Sequence, residues 1–582
     1  MLMINILRKF GKILSKHQKF RIFELTVLMF VGGVLEMCSV SLIIPFVNAV
    51  LDTDAFMEKW YAKQMCNMFG VSSPQNLLMM LAFLMAAVYI LKNAYLVFEY
   101  NVQYRFVYGN MLLMHRRMLI NYLARPYEFY LTVDSGEILR VINDDVREAF
   151  ALLVTLISFF TETIVSMMLV IAIFLISPFV TICMAMGLFS IMLLITAVIK
   201  PMQRSAGEVR QKSLAGINKL LIQVIQGIKE IKVTQSEAFF VDSYTRTGRK
   251  YVNSIRRNLV VGIIPKSLIE AISMSTLFIV IAIMIYRGGN MESIIPIIAA
   301  IAMAAIRLLP AINRMSSALG SIVYYEPTLD KMIENLKDLD GDEGVACEKN
   351  KGIISSVNRG IQMEDVCYKY PGAHKNVLNH SYMTINEGQS VGIIGASGAG
   401  KTTAVDLILG LLRVNHGRIL VDGHDIKSDL SGWYNMIGYI PQSIFLIDDT
   451  IMANVAFGYD RKDIDEEKVW RVLREAALDQ YVRELPKGLY TEIGERGIRL
   501  SGGQRQRLGI ARALYRDPQV IIFDEATSAL DNDTESAIME SINNLQGQKT
   551  MIIIAHRLTT IQNCDCIFKI ANGTIQRADL PH

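Results

Sequence analysis

The stretch QSVGIIGASGAGKTT (389–403) sets the spacing G-x-x-x-x-G-K-T, Gly395 to Thr402, directly after an apolar run and ahead of a helical pattern. Glycines at those positions let backbone N–H groups close on phosphate oxygens. Lys401 reaches the outer phosphates and the Thr402 hydroxyl is placed for Mg²⁺. The candidate phosphate cradle is therefore Gly395, Ser397, Gly398, Gly400, Lys401, Thr402 and Thr403. A second stretch, VIIFDEATSALD (520–531), reads as a buried strand that ends in two acids. Asp524 is placed to hold Mg²⁺, and Glu525 to polarise a water attacking the terminal phosphate. Together the two stretches describe ATP hydrolysis.

These groups need a scaffold, and composition indicates what kind. The chain has 582 residues, too many for one ordinary domain, and is 52% hydrophobic yet 20% charged. The charges are uneven. Apolar runs of roughly membrane-crossing length, about 20 residues, lie near 22–50, 77–98, 151–177, 179–199, 259–286 and 293–323. The third and fourth are divided at Ser177-Pro178, where proline favours a reversal. Six spans put both chain ends on one side, and the basic residues choose it. Six Lys/Arg lie in residues 6–21, six in Asn101–Phe150 and twelve in Lys200–Arg257, whereas the 51–76 loop has only Lys59 and Lys63. The basic side is the cytoplasm.

The two long basic stretches keep a helical rhythm, as in LLIQVIQGIKEIKV, and are expected to be helices that continue out of the membrane and return. Residues 51–70, with Phe56, Trp60, Tyr61 and Met65 among charges, are expected to form a short amphipathic helix at the outer interface. Apolar character stops near Glu326-Pro327, and 334–352 reads as a linker. Beyond it, β-rich runs alternate with helical patterns, the rhythm of an α/β domain. The expected fold class is a membrane α-helical bundle plus an α/β P-loop nucleotide-binding domain. Its expected boundaries are 1–325 for the bundle, 326–355 for the linker and 356–582 for the nucleotide-binding part. The seven cysteines show no metal or disulfide spacing, and a net charge of +4 gives no reason to expect a nucleic-acid partner.

LSGGQRQR (500–507) is the most diagnostic string, and with it Tyr370–His556 resembles the ABC ATPases. The resemblance implies that Tyr370 in YKYPG stacks on adenine, and that Gln442 in YIPQ senses Mg²⁺ and meets the membrane domain. It implies that Ser501, Gly502, Gly503 and Gln504 close on the γ-phosphate, that Asp531 ends the D-loop, and that His556 in IIIAHRL is the switch histidine. In this family a P-loop faces the signature motif of a second nucleotide domain, so a chain with one of each is expected to work as a homodimer with ATP and Mg²⁺. The membrane half is similar to the exporter branch, with 135–146 and 225–232 in the place of its coupling segments. A soluble ABC ATPase would not need six spans, and a channel would not need Glu525 beside an intact P-loop.

Positive charge inside the spans bears on cargo, because a cation in hydrocarbon is costly. Arg307 and Arg314 are the only charges between Ser293 and Val323. At about 1.5 Å per residue, Arg307 lies roughly 10 Å above the cytoplasmic edge of a core about 30 Å thick. On the same reckoning Lys92 and Lys266 reach that level on two other helices, and Arg314 lies at the mouth. The functional expectation is a basic ring for a phosphorylated headgroup. The alternative is purely structural, with the lysines reaching the headgroups or pairing with a nearby acid. The segments AAIRLLPAINR and IIPKSLIEAIS resemble bacterial lipid-linked oligosaccharide flippases of the PglK type, although lysine at 92 and 266 departs from the arginine expected there. The likeness implies a polyprenyl-pyrophosphate glycan turned across the bacterial inner membrane. The runners-up are a lipid A-type flippase and a multidrug exporter.

Overall fold

The computed structural model describes the chain except residues 1, 43–45, 47–48, 51–52, 70–72, 177–198, 287–290, 337–353, 525–542, 544, 556–560 and 579–582. It forms two compact units. One comprises Met1–Arg125 and Val133–Gly344, the other Pro126–Thr132 and Val345–His582.

The first unit is helical. Its helices are α1 (Leu2–Ile13), α2 (Lys16–Ser41), α3 (Thr53–Met57), α4 (Trp60–Phe69) and α5 (Pro74–Leu123). After α6 (Tyr127–Thr132), which belongs to the second unit, come α7 (Ser135–Leu139), α8 (Val146–Ile176), α9 (Lys200–Gln226), α10 (Ile228–Thr234), α11 (Glu237–Tyr286) and α12 (Met291–Leu336). Among the described residues, three helical stretches are long and apolar enough to cross a membrane: Lys16–Ser39, Pro74–Leu123 and Ser135–Met168. The expected span at 179–199 lies almost wholly outside the described residues.

Helix α5 shows why a long basic stretch can follow a span without a break. Ser73 caps its start by accepting from the Asn76 N–H, and Pro74 takes the first turn, where no N–H is needed. It then runs 50 residues, about 75 Å at 1.5 Å each, more than twice a hydrocarbon core. The second long helix of this kind is α11, also of 50 residues. The outer segment forms two short helices, α3 and α4, rather than one. Phe56 tucks against Leu77 and Leu81, while Trp60 is exposed.

Small residues and apolar stripes seat these helices. Gly32 and Gly33 let α2 approach α5 and α8: a Cβ on Gly32 would stand 2.5 Å from Glu99 Oε2, and one on Gly33 would stand 2.9 Å from Met168 Sδ. Helix α8 buries Val146, Ala149, Leu153 and Leu156, three or four residues apart, in a bundle where α12 buries Ala311, Ala318, Ile322 and Leu329. Helix α1 buries Ile6 and Phe10, and its Lys9 pairs with Asp330 of α12 at 2.5 Å. The change of composition at Glu326-Pro327 is not an end of helix, since α12 continues to Leu336.

The second unit is α/β. Its larger sheet has the order β10-β9-β3-β8-β7-β6, and the smaller one β2-β1-β4-β5. The strands of the larger sheet are β3 (Ser390–Gly395), β6 (Ile437–Ile440), β7 (Val520–Asp524), β8 (Thr550–Ile554), β9 (Cys566–Ala571) and β10 (Thr574–Ala578). The smaller sheet holds β1 (Ile361–Tyr368), β2 (Leu378–Ile385), β4 (His416–Val421) and β5 (His424–Asp425). In the larger sheet β9, β3, β8, β7 and β6 pair in parallel, and only β10 runs against them. Strands β7 and β8 are buried along their whole length, which explains their unbroken apolar runs. Cys564 and Cys566 are free and buried.

The segment 135–146 lies in the first unit, as α7 and the π-helical turn Arg140–Asp145. Its entry is fixed there by Asp134, which caps Gly136 and pairs with Lys219 of α9 at 2.6 Å. Helix α6, immediately upstream, is part of the second unit. The Arg413 N–H donates to Glu128 Oε1 across 2.8 Å.

Candidate functional site

Parallel strands direct their C-terminal ends to one edge of a sheet, and the loops that follow gather there. Register makes this concrete. Ile554 of β8 is paired with Ile393 of β3 on one side and with Asp524 of β7 on the other, and Phe523 is paired with Ile440 of β6. The phosphate loop follows β3, Asp524 ends β7 and Gln442 follows β6, so these three candidates leave the same edge.

The loop between β3 and α13 (Lys401–Ile408) has the backbone that its glycines permit. Gly398 and Gly400 take φ of +77° and +104°. At Gly395 a Cβ would lie 2.7 Å from the Ile570 carbonyl oxygen, so no side chain fits between the loop and β9. Lys401 is buried, and its ammonium donates to the Gly395 and Ala396 carbonyls at 2.9 and 3.4 Å, curled over the loop. Ser397 and Thr402 are exposed and Thr403 is buried. The Thr403 hydroxyl meets the Tyr370 hydroxyl at 3.0 Å, and the Tyr370 ring stands edge-on to Tyr368. The aromatic residue expected at the base is thus tied to the first turn of the phosphate helix.

Asp524 is buried and accepts a hydrogen bond from the Tyr439 hydroxyl at 3.3 Å. A third acid stands near it. Burial, and then the negative charge of Asp524, push the Asp406 carboxyl up to about 6. Sequence reading missed both Tyr439 and Asp406, whose neighbours are identifiable only once the strands are ordered. A hydroxyl at Thr402, a carboxylate at Asp524 and an amide oxygen at Gln442 make a hard-oxygen donor set that suits Mg²⁺. That ion needs few protein ligands because waters and phosphate complete its octahedron. Glu525, Asp531 and His556 lie outside the described residues.

The signature string opens α14 (Gly502–Tyr515) with a closed capping box. The Gln504 N–H donates to Ser501 Oγ at 3.2 Å, and the Ser501 N–H donates to Gln504 Oε1 at 2.8 Å. Gly502 is exposed, and a Cβ there would meet nothing. The 14-residue helix therefore presents its positive end and bare backbone N–H groups at the surface, a form suited to phosphate.

The cations expected to ring a cargo site are arranged differently from the expectation. Lys92 is buried, its ammonium 2.7 Å from Glu36 Oε2 on α2 and 5.0 Å from the centre of the Tyr89 ring. Arg314 holds Glu162 of α8 in a fork, Nε at 2.5 Å and Nη2 at 3.0 Å, while its side chain stays 60% exposed. Lys266 is exposed, and the Arg307 side chain lies outside the described residues. A charge left in a span without a partner is expensive, so the bundle supplies carboxylates to two of the four. Sequence reading weighed the bases and overlooked Glu36 and Glu162 inside apolar runs and Glu99 at the end of one, although an acid there is as strong a signal as a base.

Comparison with known proteins agrees with both units. Residues 22–306 match the model of the ABC transporter transmembrane region, and residues 378–528 match that of the ABC transporter. An ATP-dependent lipid A-core flippase of Dechloromonas aromatica is 28% identical over 371 residues, covering 64% of this chain and 62% of that protein. The chain thus spans less than two thirds of that relative's length. A flippase of the same description from Cupriavidus metallidurans is 29% identical over 472 residues, 80% of this chain and 78% of its own. The solved structure of a bacterial Atm1-family ABC exporter with ATP bound superposes with a TM-score of 0.79 at 21% identity, covering 97% of this chain and 96% of that one. With both regions matched and that fold shared along its length, the chain belongs to the ABC transporter family and has the exporter-type architecture, a helical membrane region joined to one nucleotide-binding domain.

Proposed function

We propose that this protein is an ATPase-coupled translocase that acts as a homodimer in the bacterial inner membrane and turns a phosphorylated glycolipid from the inner to the outer leaflet. The observation that carries the engine is the common sheet edge from which the Lys401 loop, Asp524 and Gln442 all emerge. It is joined in one chain to helices long enough to cross a membrane. ATP bound by Gly395–Thr403 of one copy meets the positive end of α14 from the other, and the two nucleotide domains close. Glu525 activates the water, His556 and Asp531 complete the site, and release of phosphate reopens it. Mg²⁺, held by Thr402, Asp524 and Gln442, offsets phosphate charge when bound.

For the cargo, support comes from Arg314, whose guanidinium is oriented by Glu162 yet largely exposed, and from the likeness of segments of α11 and α12 to lipid-linked oligosaccharide flippases. A polyprenyl-pyrophosphate glycan is the finer reading. Lipid A-core is the second, favoured by the description of the relatives as lipid A-core flippases. Both present phosphate beside sugar to the inner leaflet. Burial of Lys92 in its pair with Glu36 removes that residue from the ring, which leaves Arg314, exposed despite its pair with Glu162, and Lys266 and Arg307 as the candidate contacts.

The test is ATP turnover and leaflet transfer in proteoliposomes, with polyprenyl-pyrophosphate glycans, lipid A-core and cationic amphiphilic drugs as separate arms. Stimulation by either phosphorylated glycolipid supports the reading and selects between its two forms. Stimulation by drugs alone overturns it. Glu525→Gln is expected to abolish turnover while ATP stays bound, and Arg307→Ala to keep basal turnover while losing transfer.

A further inference from the structure

The membrane bundle contains a carboxylate that the engine and the cargo reading leave unused. Glu99 of α5 is 2% exposed. Its Oε1 accepts from the Gln103 amide at 2.8 Å, and its Oε2 has no hydrogen-bond partner among the described residues. That second oxygen is pressed against α2 where Gly32 leaves room for it. The oxygen is itself closed off from solvent, so no open approach to it exists for a metal ion or an amine.

The neighbouring charges do not serve it. On its own helix, Lys92 is committed to Glu36 of α2, and the Tyr95 hydroxyl donates to the Leu28 carbonyl of α2 at 2.8 Å. Tyr100 lies one residue on. On α8 and α12, Glu162 and Arg314 are committed to each other. Arg307 lies seven residues from Arg314 towards the outer end of α12, about 10 Å along the axis. Among the described residues this group therefore holds three acids, Glu36, Glu99 and Glu162, against two cations. A buried carboxylate with one neutral donor and no countercharge is compatible with its surroundings only when the charge is removed, and the one ligand small enough to remove it is a proton.

We propose that Glu99 is a proton-binding site within the bundle, holding a proton while α2 and α5 are packed together and releasing it when they part, so that a proton per chain is tied to each transport cycle. On release, the O–H bond of the acid breaks, its electron pair stays on the carboxylate, and the proton passes to water admitted between the two helices. Glu99 sits just past the inner end of the expected second span, so that water is continuous with the cytoplasmic side. The inference does not depend on which lipid is carried.

Infrared difference spectroscopy on the full-length protein in nanodiscs, wild type minus Glu99→Gln, tests occupancy of the site without nucleotide. The expected result is a protonated carboxylic-acid carbonyl band at neutral pH that shifts in deuterated water, and absence of that band overturns the proposal. Pre-steady-state indicator measurements with Mg-ATP then test the link to the cycle. Wild type is expected to release about one more proton per chain than Glu99→Gln as the ATP-driven cycle parts α2 from α5, and equal release in the two overturns the link. Glutamine has the shape of the neutral acid, so Glu99→Gln is expected to fold and keep basal turnover. If it fails to fold, Glu99→Asp takes its place in the spectroscopy: the acid carbonyl band is expected to move with the substitution, and an unmoved band overturns the proposal.

Discussion

Arg210 of α9 binds Glu148 of α8 through both terminal guanidinium nitrogens, and Thr328 of α12 donates to the same carboxylate at 3.2 Å. The guanidinium lies 4.9 and 5.0 Å from the ring centres of Tyr324 and Tyr325. One buried ion pair thus ties together three helices that are far apart in sequence. Its surroundings admit no slack, since a Cβ on Gly207, one turn before Arg210, would overlap the Tyr324 carbonyl.

Arg210→Ala leaves the Glu148 charge buried and unpaired, at a cost of about 3–5 kcal/mol. The expected result is a large loss of thermal stability of the membrane unit in detergent. Arg210→Lys is expected to rescue little, because an ammonium cannot form the fork or stack on both rings. Near-wild-type melting of Arg210→Ala would show that the pair is dispensable.

Gly400→Ala is expected to abolish ATP binding with little loss of global stability. Gly400 has φ +104° and a Cβ there would stand 2.9 Å from Val377 Cγ1, so alanine must distort the loop that presents Lys401. Equilibrium binding of a fluorescent ATP analogue provides the check, with melting of the protein as the control.

Asp406 gives a pH prediction for the nucleotide-free protein. Its folded pKa of about 6 stands above the ordinary carboxylate value, so the folded state holds more protons than the unfolded state between the two. The contribution of this group to stability is therefore greatest below the ordinary carboxylate range, falls as pH rises towards about 6, and is level above it. Asp406→Asn is expected to melt higher than wild type at pH 7, with the gap closing as pH is lowered through that window. A gap that is constant with pH would remove Asp406 as the source.

Lys92 and Glu36 separate a structural role from a cargo role. Lys92→Met alone strands a buried carboxylate, at a cost of about 3–5 kcal/mol, whereas Lys92→Met with Glu36→Met is expected to be near neutral in melting. Transport by the double variant is expected to match wild type. Loss of transport at unchanged stability would return Lys92 to the cargo site.

The engine was legible because its chemistry is carried by contiguous strings. Phosphate needs backbone N–H groups, and only glycine at fixed spacing supplies them, so Gly395–Thr402 and Ser501–Gln504 announce themselves. The position of Asp524 at a strand end was equally readable from four apolar residues before it. What lies around it was not. Tyr439 and Asp406 come from elsewhere in the chain, and a parallel sheet orders its strands without regard to sequence order.

The membrane charges show the same division. Hydrophobic run lengths announced a helical membrane region, because water and hydrocarbon select composition one residue at a time. Pairing is a relation between distant residues: Lys92 finds Glu36 and Arg314 finds Glu162 only when α2, α5, α8 and α12 are packed. The sequence by itself determined the family, the hydrolytic chemistry and the two-part plan. Tertiary structure alone decided which charges are neutralised and which carboxylate, Glu99, is left without a countercharge among the described residues, because the cost of burying a charge depends on what stands within a few ångströms of it.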